Sequence, residues 1–185
     1  MKKTILAIVG LPGSGKTEAT VYVQNKYGWP KVYFGDVTFE EMKKQGLEVN
    51  ETNERATRER VRREHGMGAY ALLSVPKIKE LYEKGCVILE SLYSWEEYLA
   101  VKDAFGDAFK VLAIMASPAV RQERMVKRPV RPLTPEDFVK RDYSQIENLH
   151  QAGPIARADF AVINEGTMED FHAKIDEIIN RITAE

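Results

Sequence analysis

The chain has 185 residues, 27 of them basic and 28 acidic, for a net charge of −1 at neutral pH. A balance this even excludes global attraction to nucleic acid, so any anion must be met by a local group of cations. The length suits one domain with a substantial core. A single cysteine, Cys86, excludes an internal disulfide and fits a reducing compartment.

The first apolar run, Ile5 to Val9, is too short for a signal peptide or a membrane span and is followed at once by glycines. A cytoplasmic protein with no membrane partner is therefore expected, as a monomer or a homodimer. That run reads as a buried strand, and Thr17 to Val23 as the helix after it. Four more apolar runs read as strands: Lys31 to Phe34, Cys86 to Leu89, Val111 to Met115 and Phe160 to Ile163. Helices are expected between them at Asp36 to Gln45, Asn50 to His65, Ala69 to Lys84, Trp95 to Ala104 and Pro118 to Lys127. Gly85 closes the third of these, and Ser117 is placed to cap the last. Thr134-Pro135-Glu136-Asp137 opens another helix, with proline in its first turn. Thr167 to Ile182 carries Phe171, Ile175, Ile178, Ile179 and Ile182 as one apolar face.

Strands alternating with helices predict an α/β fold, a doubly wound three-layer α/β/α sandwich on a five-stranded parallel sheet. Residues 36–84 form an acceptor-side helical region in this reading, and residues 121–141 a lid. Ligands are expected at the carboxyl ends of the strands.

Gly10-Leu11-Pro12-Gly13-Ser14-Gly15-Lys16-Thr17 matches the phosphate-loop pattern GxxxxGK[ST] between a strand and a helix. Glycines let successive N–H groups turn toward a phosphate, and the helix start adds positive potential. Lys16 reaches the terminal phosphates, and the Thr17 hydroxyl is placed to ligate Mg²⁺. ATP and Mg²⁺ are the expected cofactors.

Phosphoryl transfer is mostly positioning and charge neutralisation, so a carboxylate and further cations are needed. Glu90 ends the third strand and is a candidate to order the Mg²⁺ shell or to take a proton from an attacking hydroxyl. Asp36 ends the second strand, either to bind or deprotonate the acceptor or to cap the following helix. Arg121, Arg124 and Arg128 lie three and four residues apart, so they share a helix face, and like charges so placed call for an anion between them. Arg141 follows in the next helix. A second group, Arg55, Arg58, Arg60, Arg62 and Arg63, is interleaved with glutamates, so a solvated face and an acceptor-phosphate contact through Arg58 or Arg62 both stand. His65, His150 and His172 show no metal-ligand spacing and read as surface residues.

These motifs together resemble the P-loop nucleoside monophosphate kinase superfamily, particularly dephospho-CoA kinases, adenylate kinases and archaeal kinase-like ATPases. The resemblance rests on Gly10 to Thr17, on Gly35-Asp36, on Ala116-Ser117-Pro118 followed by Arg121, Arg124 and Arg128, and on Ala158 to Thr167. It implies that Asn164, Glu165 and Gly166 lie near the adenine, chiefly through backbone atoms, and that Arg124 and Arg128 contact ATP or the moving phosphoryl group. The chain departs from the pattern on the acceptor side. Phe39 stands where adenylate kinases place an arginine, Glu90-Ser91 replaces an Asp-Gly, and only Asp36 remains of an Asp-x-Asp.

The expected function is transfer of the ATP γ-phosphoryl group to a small nucleotide or nucleotide-like acceptor. Dephospho-CoA kinase-type activity and a slow ATPase switch controlling a partner are the alternatives.

Overall fold

A computed structural model of the chain describes residues 2–184. Its sheet has five parallel strands: β1 (Ile5–Val9), β2 (Lys31–Tyr33), β3 (Val87–Glu90), β4 (Phe109–Met115) and β5 (Phe160–Ile163). Their order is β2-β3-β1-β4-β5. β1 lies in the middle, with Ile5 level with Val87 on one side and Phe109 on the other. This explains its unbroken apolar run, since a central parallel strand is covered on both faces.

Alternation along β1 divides the core. Ile5, Ala7 and Val9 face one helical layer, joining Val37, Val61, Tyr70, Ile78, Leu92 and Val101. That layer is α2 (Asp36–Lys44), α3 (Glu51–His65), α4 (Ala69–Lys84) and α5 (Trp95–Phe105). Leu6 and Ile8 face the other, joining Ala19 and Val23 of α1 (Lys16–Tyr27) and Phe171, Ile175, Ile178, Ile179 and Ile182 of α9 (Met168–Ala184). Each fully buried aliphatic side chain contributes roughly 1.5–3 kcal/mol.

Three further helices follow β4: α6 (Pro118–Lys127), α7 (Pro135–Glu147) and the five-residue α8 (Ala152–Ala156). Two local expectations change, and one short helix is new. Cys86 is buried but precedes β3, its Sγ 3.7 Å from the Lys2 carbonyl oxygen. Ser117 makes no side-chain cap; its N–H donates to Glu165 Oε1 at 2.5 Å, which ties the start of α6 to the loop after β5. The short α8 carries too few residues for a periodic signal. By contrast, Thr134 caps α7 as expected, accepting from Asp137 N at 3.1 Å. No helix among the described residues is long and apolar enough to cross a membrane.

Candidate functional site

The carboxyl ends of β1, β3 and β4 converge on the loop from Gly10 to Thr17. Gly10, Gly13 and Gly15 hold φ of 149°, 81° and 105°, a region that favours glycine. A side chain at Gly15 would collide with the Asn164 amide nitrogen. Among the described residues, the N–H groups of Gly13, Gly15, Lys16 and Thr17 donate to no protein acceptor. Four open donors at the start of a 12-residue helix make an anion cradle. The Ser14 hydroxyl beside them is buried and unpartnered.

The loop is braced by residues far away in the chain. Asn164, at the end of β5, donates through Nδ2 to the Ser14 carbonyl at 2.8 Å. Arg124 donates to the Asn164 carbonyl at 2.9 Å and to the Gly13 carbonyl at 3.4 Å. Gln151, wholly buried just before α8, donates to the Gly10 carbonyl at 2.9 Å. Asn164 thus uses its side-chain amide on the loop itself, whereas the resemblance had emphasised its backbone. Gly166 is exposed in the turn between β5 and α9. Pro12 is buried, and its carbonyl accepts from Arg121 at 3.2 Å.

Arg121 corrects one expectation. It does not share an anion with Arg124 and Arg128 but turns inward, 4% exposed, to make a two-pronged ion pair with Asp142 of α7 at 2.6 and 2.8 Å. Burial made this pairing necessary, because an isolated buried charge is far too costly. The sequence signal was available. Asp142 lies four residues after buried Phe138, so a carboxylate sits on the inner stripe of α7 and demands a cation.

The Lys16 ammonium, whose Nζ donates to the Leu11 carbonyl at 3.1 Å, is pushed down to about 8, first by burial and then by the charges of Arg141 and Arg121. Glu90 and Asp142 oppose that shift. Arg128, just past the end of α6, also has its pKa lowered, by burial and then by Arg141 and Arg131. The charge of Arg141 thus acts on both Lys16 and Arg128, and none of the three makes an ion pair among the described residues. An anion placed among them would relieve that repulsion.

Facing this group, Glu90 at the tip of β3 accepts from Lys31 Nζ at 2.5 Å and stays 18% exposed. Asp36 is exposed in the first turn of α2, with Gly35 in the capping position, and makes no ion pair among the described residues. Ser91, directly after Glu90, holds φ of 69°, where the Asp-Gly of the resembled kinases would place glycine. Its hydroxyl lies 3.0 Å from the Tyr93 hydroxyl. Thr17 is exposed at the start of α1. No group of three or more His, Cys, Asp or Glu able to hold a metal occurs among the described residues. His65 and His150 lie at the surface as expected, but His172 is half-buried, its ring stacked 3.8 Å from that of Tyr22.

A family profile described as an AAA domain matches residues 9–138. A UPF0200 protein of Thermococcus onnurineus is 33% identical over 98% of this chain and 99% of its own length. One from Pyrococcus abyssi is 36% identical over 96% of each. The chain belongs to the UPF0200 family. A UPF0200/UPF0201 protein of Archaeoglobus fulgidus is 36% identical over 98% of this chain but only 57% of its own length, so the UPF0200 unit also occurs inside a longer protein. Among solved structures, TT1252 from Thermus thermophilus matches with a TM-score of 0.63 at 20% identity, covering 98% of each chain. A shikimate kinase from Bacteroides thetaiotaomicron matches at 0.61 and 12%, covering all of both chains. A gluconokinase from Sinorhizobium meliloti matches at 0.60 and 13%, over 97% of this chain and 93% of its own. The UPF0200 fold is thus that of the P-loop kinases.

Proposed function

We propose that this protein is an ATP-dependent phosphotransferase acting on a small-molecule acceptor. The observation that carries the reading is four open N–H groups of the phosphate loop beside Lys16, on which the charge of Arg141 acts, two cations without an ion-pair partner among the described residues. A triphosphate meets all of them at once. The likeness in fold to a gluconokinase and a shikimate kinase supports the same class.

ATP lies with its β- and γ-phosphates in the loop. The acceptor hydroxyl oxygen attacks the γ-phosphorus, forming one P–O bond as the bond to the β-bridging oxygen breaks, and ADP leaves. Lys16, Arg128 and Arg141 stabilise the charge that spreads over the γ-oxygens. Asp36, the unpaired carboxylate in the first turn of α2, takes the proton from the acceptor hydroxyl. Glu90, paired with Lys31, orients the reacting groups opposite Lys16. The hydroxyl of Thr17 and, through water, the carboxylate of Glu90 suit Mg²⁺, which would neutralise phosphate charge when bound. The segment between α6 and α7, carrying Arg128 and Arg131, acts as the lid.

ADP release from ATP, measured with a panel of mono- and dinucleotides, dephospho-CoA and hydroxy acids against a water-only control, tests the reading. Acceptor-dependent release is expected. Equal release in water alone would overturn it in favour of an ATPase switch.

A further inference from the structure

Glu97, in the first turn of α5, is a buried carboxyl that the chemistry above does not use, only 1% exposed. Its Oε2 accepts from the N–H groups of Tyr93 and Ser94 at 2.6 and 3.0 Å. The Ser94 hydroxyl accepts in return from the Glu97 N–H at 2.9 Å. An ordinary capping box stops at the N–H of the capping residue, and its work is to end a helix. Glu97 reaches one residue further. It takes the Tyr93 N–H as well, at the shorter distance, so one carboxylate oxygen gathers two consecutive amides of the loop between β3 and α5.

That loop carries groups of the acceptor side. It follows Glu90, whose carbonyl accepts from the Phe34 N–H at 3.0 Å and ties the tip of β3 to the end of β2. Ser91 comes next with φ of 69°, a conformation that a side chain disfavours unless its surroundings hold it. Leu92 turns into the core, 1% exposed. The Tyr93 hydroxyl then lies 3.0 Å from the Ser91 hydroxyl. Tyr33 stands level with Glu90 in the sheet. Burial first, and then Tyr93, Glu90 and Asp36, raise its pKa, so all three act on one phenol. A side chain at Gly35, next to Asp36, would collide with the Tyr33 ring. The loop that Glu97 holds is therefore joined to both candidate carboxylates.

The charged groups around Glu97 come from several elements. Arg62 of α3 acts on it, with its guanidinium over the Tyr70 ring of α4, 5.2 Å from the centroid. Arg62 makes no ion pair among the described residues, whereas Arg55 pairs with Glu59, Arg58 with Glu51 and Glu54, and Arg60 with Glu64 and Glu41. Glu96 opposes Arg62, and its own Oε1 lies 3.1 Å from Nδ1 of His150. Burial outweighs the two backbone hydrogen bonds and Arg62, and pushes the Glu97 carboxyl up to about 7. We propose that Glu97 is a positioning residue of the acceptor half: by clamping the N–H groups of Tyr93 and Ser94 it holds Glu90, Ser91 and the Tyr93 hydroxyl where the acceptor meets the γ-phosphoryl group. The ionised carboxylate makes the stronger clamp, since a charged acceptor strengthens a hydrogen bond. This rests on the phosphotransferase reading above.

The test has a spectroscopic and a kinetic arm. In NMR of the full chain, the amide protons of Tyr93 and Ser94 should shift together as pH rises through about 7, and should not in Glu97→Gln. Turnover is read as acceptor-dependent ADP release with the panel named above. Glu97→Gln keeps an acceptor oxygen but carries no charge. The ratio of wild-type kcat to that of Glu97→Gln should rise about threefold between about pH 6 and pH 8, with the KM for ATP unchanged within about twofold. Glu97→Ala removes the clamp and should lose about tenfold in kcat at the higher pH, more than Glu97→Gln loses. If Glu97→Ala fails to fold, the Glu97→Gln ratio decides. A mere helix cap would lower the denaturant midpoint of both variants and leave the kcat of the folded protein, and its pH profile, as in the wild type. That outcome, or wild-type amides that do not titrate, would overturn the inference and leave the kinase reading intact. Absence of acceptor-dependent ADP release from the wild type would overturn the kinase reading itself.

Discussion

On the donor side of the sheet, Asn164, Gln151, Arg124 and Arg121 all direct hydrogen bonds at carbonyls of the phosphate loop. On the acceptor side, Asp36 makes no ion pair among the described residues, the Nε of Arg62 over the Tyr70 ring has no hydrogen-bond partner, and Ser91 sits in a backbone conformation that disfavours its own side chain. The first half is braced before any ligand arrives. A triphosphate is the same in every member of such a fold, so a rigid cradle loses nothing and avoids ordering costs. The second half keeps its polar groups open, as a site must when its ligand supplies the missing partners.

The largest blow to the braced half is Arg121→Met. It leaves Asp142 buried without a partner and should cost about 3–5 kcal/mol of stability in denaturant unfolding. Arg121→Met combined with Asp142→Leu should recover most of it, and failure to recover would show that the bond to Pro12 matters more than the charge. Lys16→Ala should lower turnover about 10²–10³-fold, read as ADP release, with unfolding stability little changed. A smaller effect is proton linkage. Lys16, at about 8 against an ordinary 10.5, binds fewer protons in the folded protein than in the unfolded chain between those values. The free protein should therefore gain stability as pH rises through that window, and have none of this gain below it. A triphosphate favours the charged ammonium, so ATP binding near pH 8.5 should take up a fraction of a proton, measurable by calorimetry in buffers of different ionisation enthalpy. The smallest effect falls on the open half. Ser91→Gly should raise the denaturant midpoint by an equivalent of about 1 kcal/mol, because φ of 69° costs a side chain roughly that much.

The fold was largely legible from periodicity. β1 announced itself as a central strand because it is buried on both faces, and α9 through its stripe of isoleucines. The phosphate loop was legible because its chemistry demands a local pattern. Its braces were not, since Gln151 and Gly10 lie 141 positions apart and nothing in spacing links them. Arg121 was misread for a related reason. Helical spacing put it beside Arg124 and Arg128, but which way a side chain turns depends on the neighbouring helix, and only the buried position of Asp142 could have hinted at it. The arginines of α3 were visible as a group, and sorting them required knowing which glutamates reach which guanidinium.

The buried pair between Arg121 and Asp142 also bears on how fast the proposed phosphotransfer could cycle. Undocking α7 at every turnover would mean exposing two charges held at 2.6 and 2.8 Å, an activation penalty of several kcal/mol before any chemistry. The loop between α6 and α7 faces no such barrier. It is held by a backbone bond from Leu133 to Met125 at 3.1 Å and by Arg128 Nε on the Arg131 carbonyl at 2.5 Å. Gating would then belong to a small flap rather than to a swinging helical arm, and its opening would be a loop event, commonly nanoseconds to microseconds, rather than a domain movement.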